Sequence, residues 1–353
     1  MSQSHFVEKL PIGVDHPSPE YTARWARHQV NALLAPAGVV LDGGHPWDPQ
    51  IHHPRALRRL LTSGTLGAGE GYMHGDWDCA ALDEFTDRLL RANVDRHLSR
   101  RRFVTFVHYL VARVTNVQAA AHAQRDIRAH YDLGNQLYRA MLGPTMAYSC
   151  ADWHTATTLD EAQDAKHRVA CQKLGLVPGL RVLDIGCGWG GFARYAAEHY
   201  RAVVTGITLS PAQARLARAR CAGLPVDIRE EDYRDLSGTF DRIVSIGMFE
   251  HVGPRNYETF FEVVARCLEP DGLCLLHTIG GRTSAYTTDP WIDRYVFPGS
   301  VLPSVEEIAG AIDRLFVMED WQNVGADYDR TLMAWDANLE AAWPTLEERY
   351  SER

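Results

Sequence analysis

The segment Val182-Leu183-Asp184-Ile185-Gly186-Cys187-Gly188-Trp189-Gly190-Gly191 constrains this chain more than any other. An apolar, β-branched run enters four glycines within six residues, and a helical pattern follows. The run suits a strand buried on both faces of a parallel sheet. The glycines let the backbone turn sharply and approach a ligand with no Cβ in the way. A helix N-terminus behind them offers backbone N–H groups and the positive end of its dipole. Such a strand–loop–helix unit holds a nucleotide-like cofactor at the carboxyl edge of a doubly wound sheet. Taken alone, it does not choose between NAD, FAD and other cofactors of that kind.

At 353 residues the chain exceeds one typical core, which predicts two domains. A net charge of −9 gives no overall drive towards nucleic acid, so none is expected as a partner. The seven cysteines form no Cys-x-x-Cys pair and no His/Cys cluster at zinc spacing. That pattern predicts reduced thiols, a cytoplasmic setting and no metal site. Met1-Ser2-Gln3-Ser4-His5-Phe6 lacks the basic and apolar regions of a signal peptide. The longest apolar run, 103–112, is interrupted by His108 and too short to span a bilayer. A substrate in a membrane would be reached from the aqueous side.

Residues 1–120 read as an accessory domain with a linker, and 121–353 as a catalytic α/β domain. The first part shows a helix over 21–35 stopped by Pro36-Ala37-Gly38, a short strand at 39–41, a helix at 55–61 and a glycine-rich loop at 64–72. Over 88–113, Arg88, Arg91, Arg96, Arg100, Arg101, Arg102 and Arg113 stand against Asp95 alone, interleaved with Leu89, Leu90, Phe103, Phe106 and Tyr109. This suits an anionic membrane surface, and equally a solvated helix and linker. Beyond 120, helix and strand patterns alternate, which predicts α/β. Thr158 and Glu161 form a capping box that opens a helix closing at Gly175, and Ser304 and Glu307 form another. Ser210, Pro211 and Gln213 give a third helix start. Strands are predicted at 181–185, 203–209, 226–231, 241–246, 273–278 and near 316–320, with a last helix over 328–343.

A dinucleotide fold would place a carboxylate after the second strand to hold a ribose. Thr208-Leu209-Ser210 stands there instead, and the acid comes after the third strand, as Asp232 followed by Tyr233. A carboxylate at that point can accept from an exocyclic amine, and an aromatic ring can stack on adenine. That pattern favours S-adenosylmethionine over NAD, although Asp232 read alone would also pass as an ordinary loop acid.

Seven motifs occur in order: His130-Tyr131-Asp132-Leu133-Gly134-Asn135, Ala147-Tyr148-Ser149-Cys150, the glycine loop, Thr208-Leu209-Ser210, Phe249-Glu250-His251-Val252-Gly253, Leu276-His277-Thr278-Ile279-Gly280 and Tyr328-Asp329-Arg330-Thr331-Leu332. Together they resemble the cyclopropane-fatty-acyl-phospholipid synthases, relatives of the mycolic acid cyclopropane synthases. The run from Gly67 to Trp77 resembles the N-terminal domain of that family, so the likeness covers nearly the whole chain. The resemblance implies a Rossmann-like class I methyltransferase domain, with a mostly parallel doubly wound sheet, beside a smaller N-terminal α+β domain. It implies methyl transfer from S-adenosylmethionine to a cis double bond of an unsaturated phospholipid acyl chain. A carbocation would form on the chain, and loss of a proton to bound bicarbonate would close a cyclopropane ring. Carried over by motif, Cys150, Glu250, His277, the backbone of Ile279 and Tyr328 would hold the bicarbonate, and Tyr131 would face the cation. Tyr148, Ser149, Asp184, Gly186, Gly188, Thr208 and Gln213, with Asp232 and Tyr233, would form the cofactor set. Cys150 alone would pass for a small buried hydrophobe, and Tyr131 for a packed core tyrosine. A homodimer peripheral to the inner face of the membrane is the assembly and location that go with this reading.

Two other activities compete. One is a C-methyltransferase that adds a methyl branch, or acts on a carrier-bound or specialised lipid. The other is a small-molecule N-methyltransferase, and the bicarbonate set argues against it, because an amine nucleophile needs no proton stripped from the transferred methyl.

Overall fold

The structure, a computed structural model, describes residues 19–94 and 134–350. It divides into two units, one built from 19–94 together with 289–294, the other from 134–288 and 295–350. The domain boundary expected near 120 falls outside the described residues, as do Tyr131 and the arginines of the basic stretch from Arg96 onward.

In the smaller unit, α1 (Pro19–Leu34) buries Ala26, Val30 and Leu34 at helical spacing. A 3₁₀ turn, Ala35–Ala37, closes it at Gly38 with φ +65°. Residues 39–41 alternate buried, exposed, buried, yet they join no ladder: the Val40 amide donates to Asp48 Oδ1 at 2.9 Å and the Leu41 amide to Asn31 Oδ1 at 3.3 Å. The ladder lies instead between β1 (Gln50–Ile51) and β2 (Trp77–Asp78), antiparallel and too short to show in a hydropathy pattern. Between them, α2 (Arg55–Met73) runs through the glycine-rich stretch expected as a loop, with non-helical angles only at Gly64. Packing overrides glycine's poor helix propensity here: a Cβ on Gly69 would stand 2.3 Å from the indole of Trp291. The buried carboxylate of Asp76 pairs with Arg55 and, at 3.3 Å, with Arg59. On α3 (Leu82–Arg91), Arg88 lies 3.6 Å over the Trp47 ring and Arg91 pairs with Asp87 at 2.6 Å. Of these two arginines of the basic stretch, Arg88 serves this unit's own packing, whereas Arg91 forms an exposed pair on the helix surface.

The larger unit is the expected doubly wound α/β structure. Its five strands, β3 (Arg181–Ile185), β4 (Val203–Thr208), β5 (Val226–Glu230), β6 (Phe240–Ile246) and β7 (Leu268–His277), are all parallel, in the order β5-β4-β3-β6-β7. The chain leaves β3 towards β5 on one side and returns to β6 on the other, so a crevice opens at the carboxyl ends where the direction reverses. Among the described residues, seven helices accompany the sheet: α4 (Asn135–Leu142), α5 (Leu159–Lys173), α6 (Gly191–Tyr200), α7 (Pro211–Arg220), α8 (Tyr257–Cys267), α10 (Val305–Ile312) and α11 (Asp327–Leu346), while α9 (Pro290–Tyr295) belongs up to Arg294 to the smaller unit. Both reciprocal capping boxes form, at Thr158 and at Ser304. The third expected box forms only in half. Ser210 accepts from the Gln213 amide, but the Gln213 side chain turns to the Thr208 hydroxyl, which donates to it at 2.8 Å.

No strand forms at 316–320. The amides of Leu315 and Phe316 donate to Ile312 O, so α10 exits as a turn that seats Phe316 beside Phe261 and leaves Val317 85% exposed. The apolar run that looks like a strand is therefore one anchor followed by surface.

The sheet buries apolar side chains on both faces, with Ile243, Phe249, Phe260 and Val264 on one and Val182, Ala193, Val204 and Val244 on the other. Phe249 is fully buried, stacked on Tyr257 at 4.4 Å and edge-on to Phe260 at 5.1 Å. Phe249→Ala should destabilise this unit by about 3–5 kcal/mol, whereas Val317→Ala should change stability by less than about 0.5 kcal/mol. Urea unfolding followed by tryptophan fluorescence checks both, and comparable losses would contradict the packing described.

Candidate active site

The loop after β3 folds back across β4: the amides of Gly186 and Cys187 both donate to Ile207 O, at 3.0 and 2.9 Å. Gly186 holds φ +83°, and a Cβ there would stand 2.6 Å from Met248. Gly188 holds φ +54°, and its missing Cβ points into open space. Together they leave a cavity of about 140 Å³ at the carboxyl edge of the sheet. All nine residues of the expected cofactor set line it. Gly186, Gly188 and Asp184 come from the end of β3, Thr208 and Gln213 from the end of β4 and the start of α7, and Tyr148 and Ser149 from the segment before α5. Asp232 and Tyr233 stand at the far side, where Asp232 binds Arg234 at 3.0 Å and Arg234 lies 4.9 Å over the Tyr233 ring.

Asp184 is 2% exposed, and its Oδ2 has no hydrogen-bond partner. Burial pushes its carboxyl up to about 7. Such a group suits a cationic ligand, whose charge would draw it back to the carboxylate. S-adenosylmethionine, with its sulfonium and ammonium groups, has that chemistry.

A second, larger cavity, of about 1210 Å³, shares Tyr148, Ser149, Lys166, Gly247 and His251 with the first. Cys150, Glu250, His277, Ile279 and Tyr328 all line it, so five of the six residues expected to carry the chemistry are brought together. Backbone bonds fix three of them. His277, the last residue of β7, accepts at its carbonyl from Gly247 N at 2.8 Å. Glu250, in the 3₁₀ turn Phe249–His251 after β6, accepts at its carbonyl from Val301 N at 2.8 Å. The Ile279 amide donates to Glu250 Oε1 at 2.7 Å, so what Ile279 leaves for a ligand is its carbonyl rather than its N–H. Glu250 Oε2 is buried with no partner.

The ionisation of these groups follows from burial. Cys150 is pushed up to about 11 and stays a thiol at neutral pH. His277 is pushed down to about 4, by burial first and then by the charge of Lys166, and stays a neutral imidazole. Burial also raises Glu250, against the opposing hydrogen bond from Ile279. Tyr148, pushed up to about 12, stays a phenol. Its ring, which lines both cavities, sits among Phe297 of the larger cavity at 5.7 Å and the core residues Tyr138 at 5.6 Å and Trp335 at 5.2 Å. Among the described residues no group of acids, histidines and cysteines could hold a metal.

Sequence reasoning missed Gln163, Lys166 and the aromatic partners of Tyr148. Lys166 and Gln163 lie on the face of α5 that buries Ala162 and Ala170, and both are buried. Their place on that apolar face was the available signal.

Residues 118–353 match the family described as mycolic acid cyclopropane synthetase. The chain is 50% identical, over 92% of its length and 84% of the relative's, to the cyclopropane-fatty-acyl-phospholipid synthase of Escherichia coli strain K12. Among solved structures, the cyclopropane synthase MmaA2 from Mycobacterium tuberculosis aligns with a TM-score of 0.62 and 34% identity, covering 67% of this chain and 89% of that one. The mycolic acid cyclopropane synthase CmaA1, solved with S-adenosylhomocysteine and CTAB, aligns with a TM-score of 0.59 and 35% identity, covering 64% and 86%. The chain therefore belongs to the mycolic acid cyclopropane synthetase family and is an S-adenosylmethionine-dependent methyltransferase.

Proposed function

We propose that this enzyme converts a cis double bond of an unsaturated phospholipid acyl chain into a cyclopropane ring, with bicarbonate as the base. The reading is carried by the ionisation state of the larger cavity: its thiol, imidazole and phenol are all held neutral, so none is a strong base or an anionic nucleophile at neutral pH.

Bound S-adenosylmethionine supplies an electrophilic methyl group, and bound bicarbonate supplies the acceptor for the proton that leaves that methyl once it is on the acyl chain. The glycine loop would orient the methyl donor, with Thr208 and Gln213 fixing its edge and Asp184 facing its positive charge. Methyl transfer leaves a carbocation on the acyl chain. Aromatic faces stabilise such a cation without trapping it, a role for Tyr148 and Phe297, and for Tyr131 outside the described residues. His277 as a neutral imidazole can donate one hydrogen bond to an oxyanion, and the Cys150 thiol, which donates to Ala151 O at 3.5 Å and Val324 O at 3.7 Å, can donate to one by turning from those carbonyls. The Ile279 carbonyl and the unpartnered Glu250 Oε2 can accept from its hydroxyl, which would turn the anionic oxygens towards the cation. Glu250 is then a positioning group with a place to hold the proton. No helix among the described residues is long and apolar enough to cross a membrane, so the enzyme would meet its lipid at the aqueous surface.

Three outcomes test this reading. Expressed in a bacterium without such an enzyme, the protein should add one CH₂ equivalent to unsaturated fatty acids, seen by mass spectrometry of their methyl esters, and the product should resist hydrogenation. A product that keeps its alkene or carries a methyl branch would sink the proposal. Glu250→Gln should lower turnover by about a hundredfold or more while S-adenosylhomocysteine affinity by calorimetry stays within about twofold. A parallel loss of affinity would make Glu250 a cofactor residue instead. Because His277 takes up a proton only near 4 and Cys150 loses one only near 11, neither changes charge around neutrality. His277→Asn should therefore lower the rate without changing the shape of the pH–rate profile between about pH 5.5 and 8.5. An ionisation there that vanishes in the variant would contradict the neutral imidazole.

A further inference from the structure

Among the described residues, Lys166 is the one lysine, arginine or carboxylate that both cavities share, and the mechanism above does not use it. It sits on α5, 7% exposed. Its Nζ donates to Ser149 Oγ at 2.8 Å and to Gln163 Oε1 at 2.5 Å, and it forms no ion pair among the described residues. Gln163 is itself fixed, since its Nε2 donates to the carbonyls of Ser149 and Ala147, which turns its oxygen to the lysine. The electrostatic neighbours of Lys166 are Cys150, His277 and His167, with Arg220 beside His167; the carboxylates Asp327 and Asp152 act on Cys150, but none acts on the lysine itself.

A buried ammonium without a counter-charge is costly, and here burial pulls the lysine down to about 7. A helix position already crowded with alanine could hold an apolar side chain at no such cost. The hydrogen-bond directions say what the lysine does instead. A lysine N–H that occupies a lone pair of Ser149 Oγ leaves the serine proton to point elsewhere, and Ser149 lines both cavities. Ser149 then donates to whatever stands there, and a positive charge behind it favours an anion.

We propose that Lys166 is the counter-cation of the site: through the Ser149 hydroxyl it receives a carboxylate-type oxygen, belonging either to the methionine carboxylate of S-adenosylmethionine or to bicarbonate. The carboxylate source rests on the family assignment, and the bicarbonate source on the proposed mechanism. In either case the arriving anion supplies the missing counter-charge, and the lysine becomes fully protonated as the ligand binds. This makes Lys166 a positioning residue that acts through Ser149.

Two nucleosides and one anion titration decide it. Lys166→Met and Lys166→Gln both remove the charge, and Gln retains a hydrogen-bond donor; thermal unfolding checks that each folds. If the oxygen belongs to the cofactor, both variants should bind S-adenosylhomocysteine roughly ten- to a hundredfold more weakly by calorimetry. Their affinity for 5′-methylthioadenosine, which lacks the carboxylate, should stay within about twofold. If it belongs to bicarbonate, S-adenosylhomocysteine affinity should hold, and the bicarbonate concentration for half-maximal turnover should rise by about tenfold or more. Equal losses for both nucleosides, or no change in any of the three quantities, would overturn the proposal. Wild-type turnover with no bicarbonate dependence would remove the proposed base, while the nucleoside pair would still judge Lys166.

Discussion

The hydrogen bond from the Ile279 amide to Glu250 is the tie on which the candidate site depends. It joins the turn after β6 to the loop after β7, and two backbone bonds support it on either side: Gly247 N to His277 O and Val301 N to Glu250 O. Glu250 cannot rotate away without breaking its bond to the half-buried Ile279 amide, so one carboxylate oxygen is held and the other is left buried with no partner. Phe249, packed among Tyr257 and Phe260, anchors the same turn from the core side. Packing and the proposed chemistry therefore meet in two adjacent residues, Phe249 in the core and Glu250 in the cavity lining.

Burial around that tie sets what the residues can do. A cation on an acyl chain survives only where no strong nucleophile reaches it, and a low-dielectric pocket achieves this by suppressing charge. It raises the thiol and phenol, lowers the imidazole and raises the carboxyl. The same suppression leaves no strong base among the thiol, phenol and imidazole, and a small external base fits the proposed reaction. It also isolates Lys166, whose charge has no counterpart until an anion arrives.

The fold was legible where local chemistry and packing agree. The run from Val182 to Gly191 reads directly as a buried strand and a cofactor loop, and the capping boxes at Thr158 and Ser304 mark their helices correctly. Legibility failed where tertiary contacts override local preference. Gly64 to Tyr72 reads as a loop, yet beyond Gly64 it is helix, with Gly69 leaving room for Trp291 and Gly71 for Trp77. The apolar 316–320 run reads as a strand, but its amides complete a helix exit. Within the site, the motifs carried the residues that line the cavities but not how each is bonded. Gln213 turns to Thr208 rather than to its cap, and the Ile279 amide is occupied by Glu250. A lysine on a helix ordinarily reads as solvated surface, so Lys166 was visible only once α5 was seen packed.

The central claim is that a proton leaves the transferred methyl group on its way to a ring. Supplying S-adenosylmethionine with a fully deuterated methyl group, and measuring the mass of the lipid product, tests this at the atom concerned. The account predicts that the ring CH₂ carries two of the three deuteriums, with the third lost to solvent. A product that retains all three would mean that the methyl was never deprotonated, and it would contradict cyclopropane formation at this site.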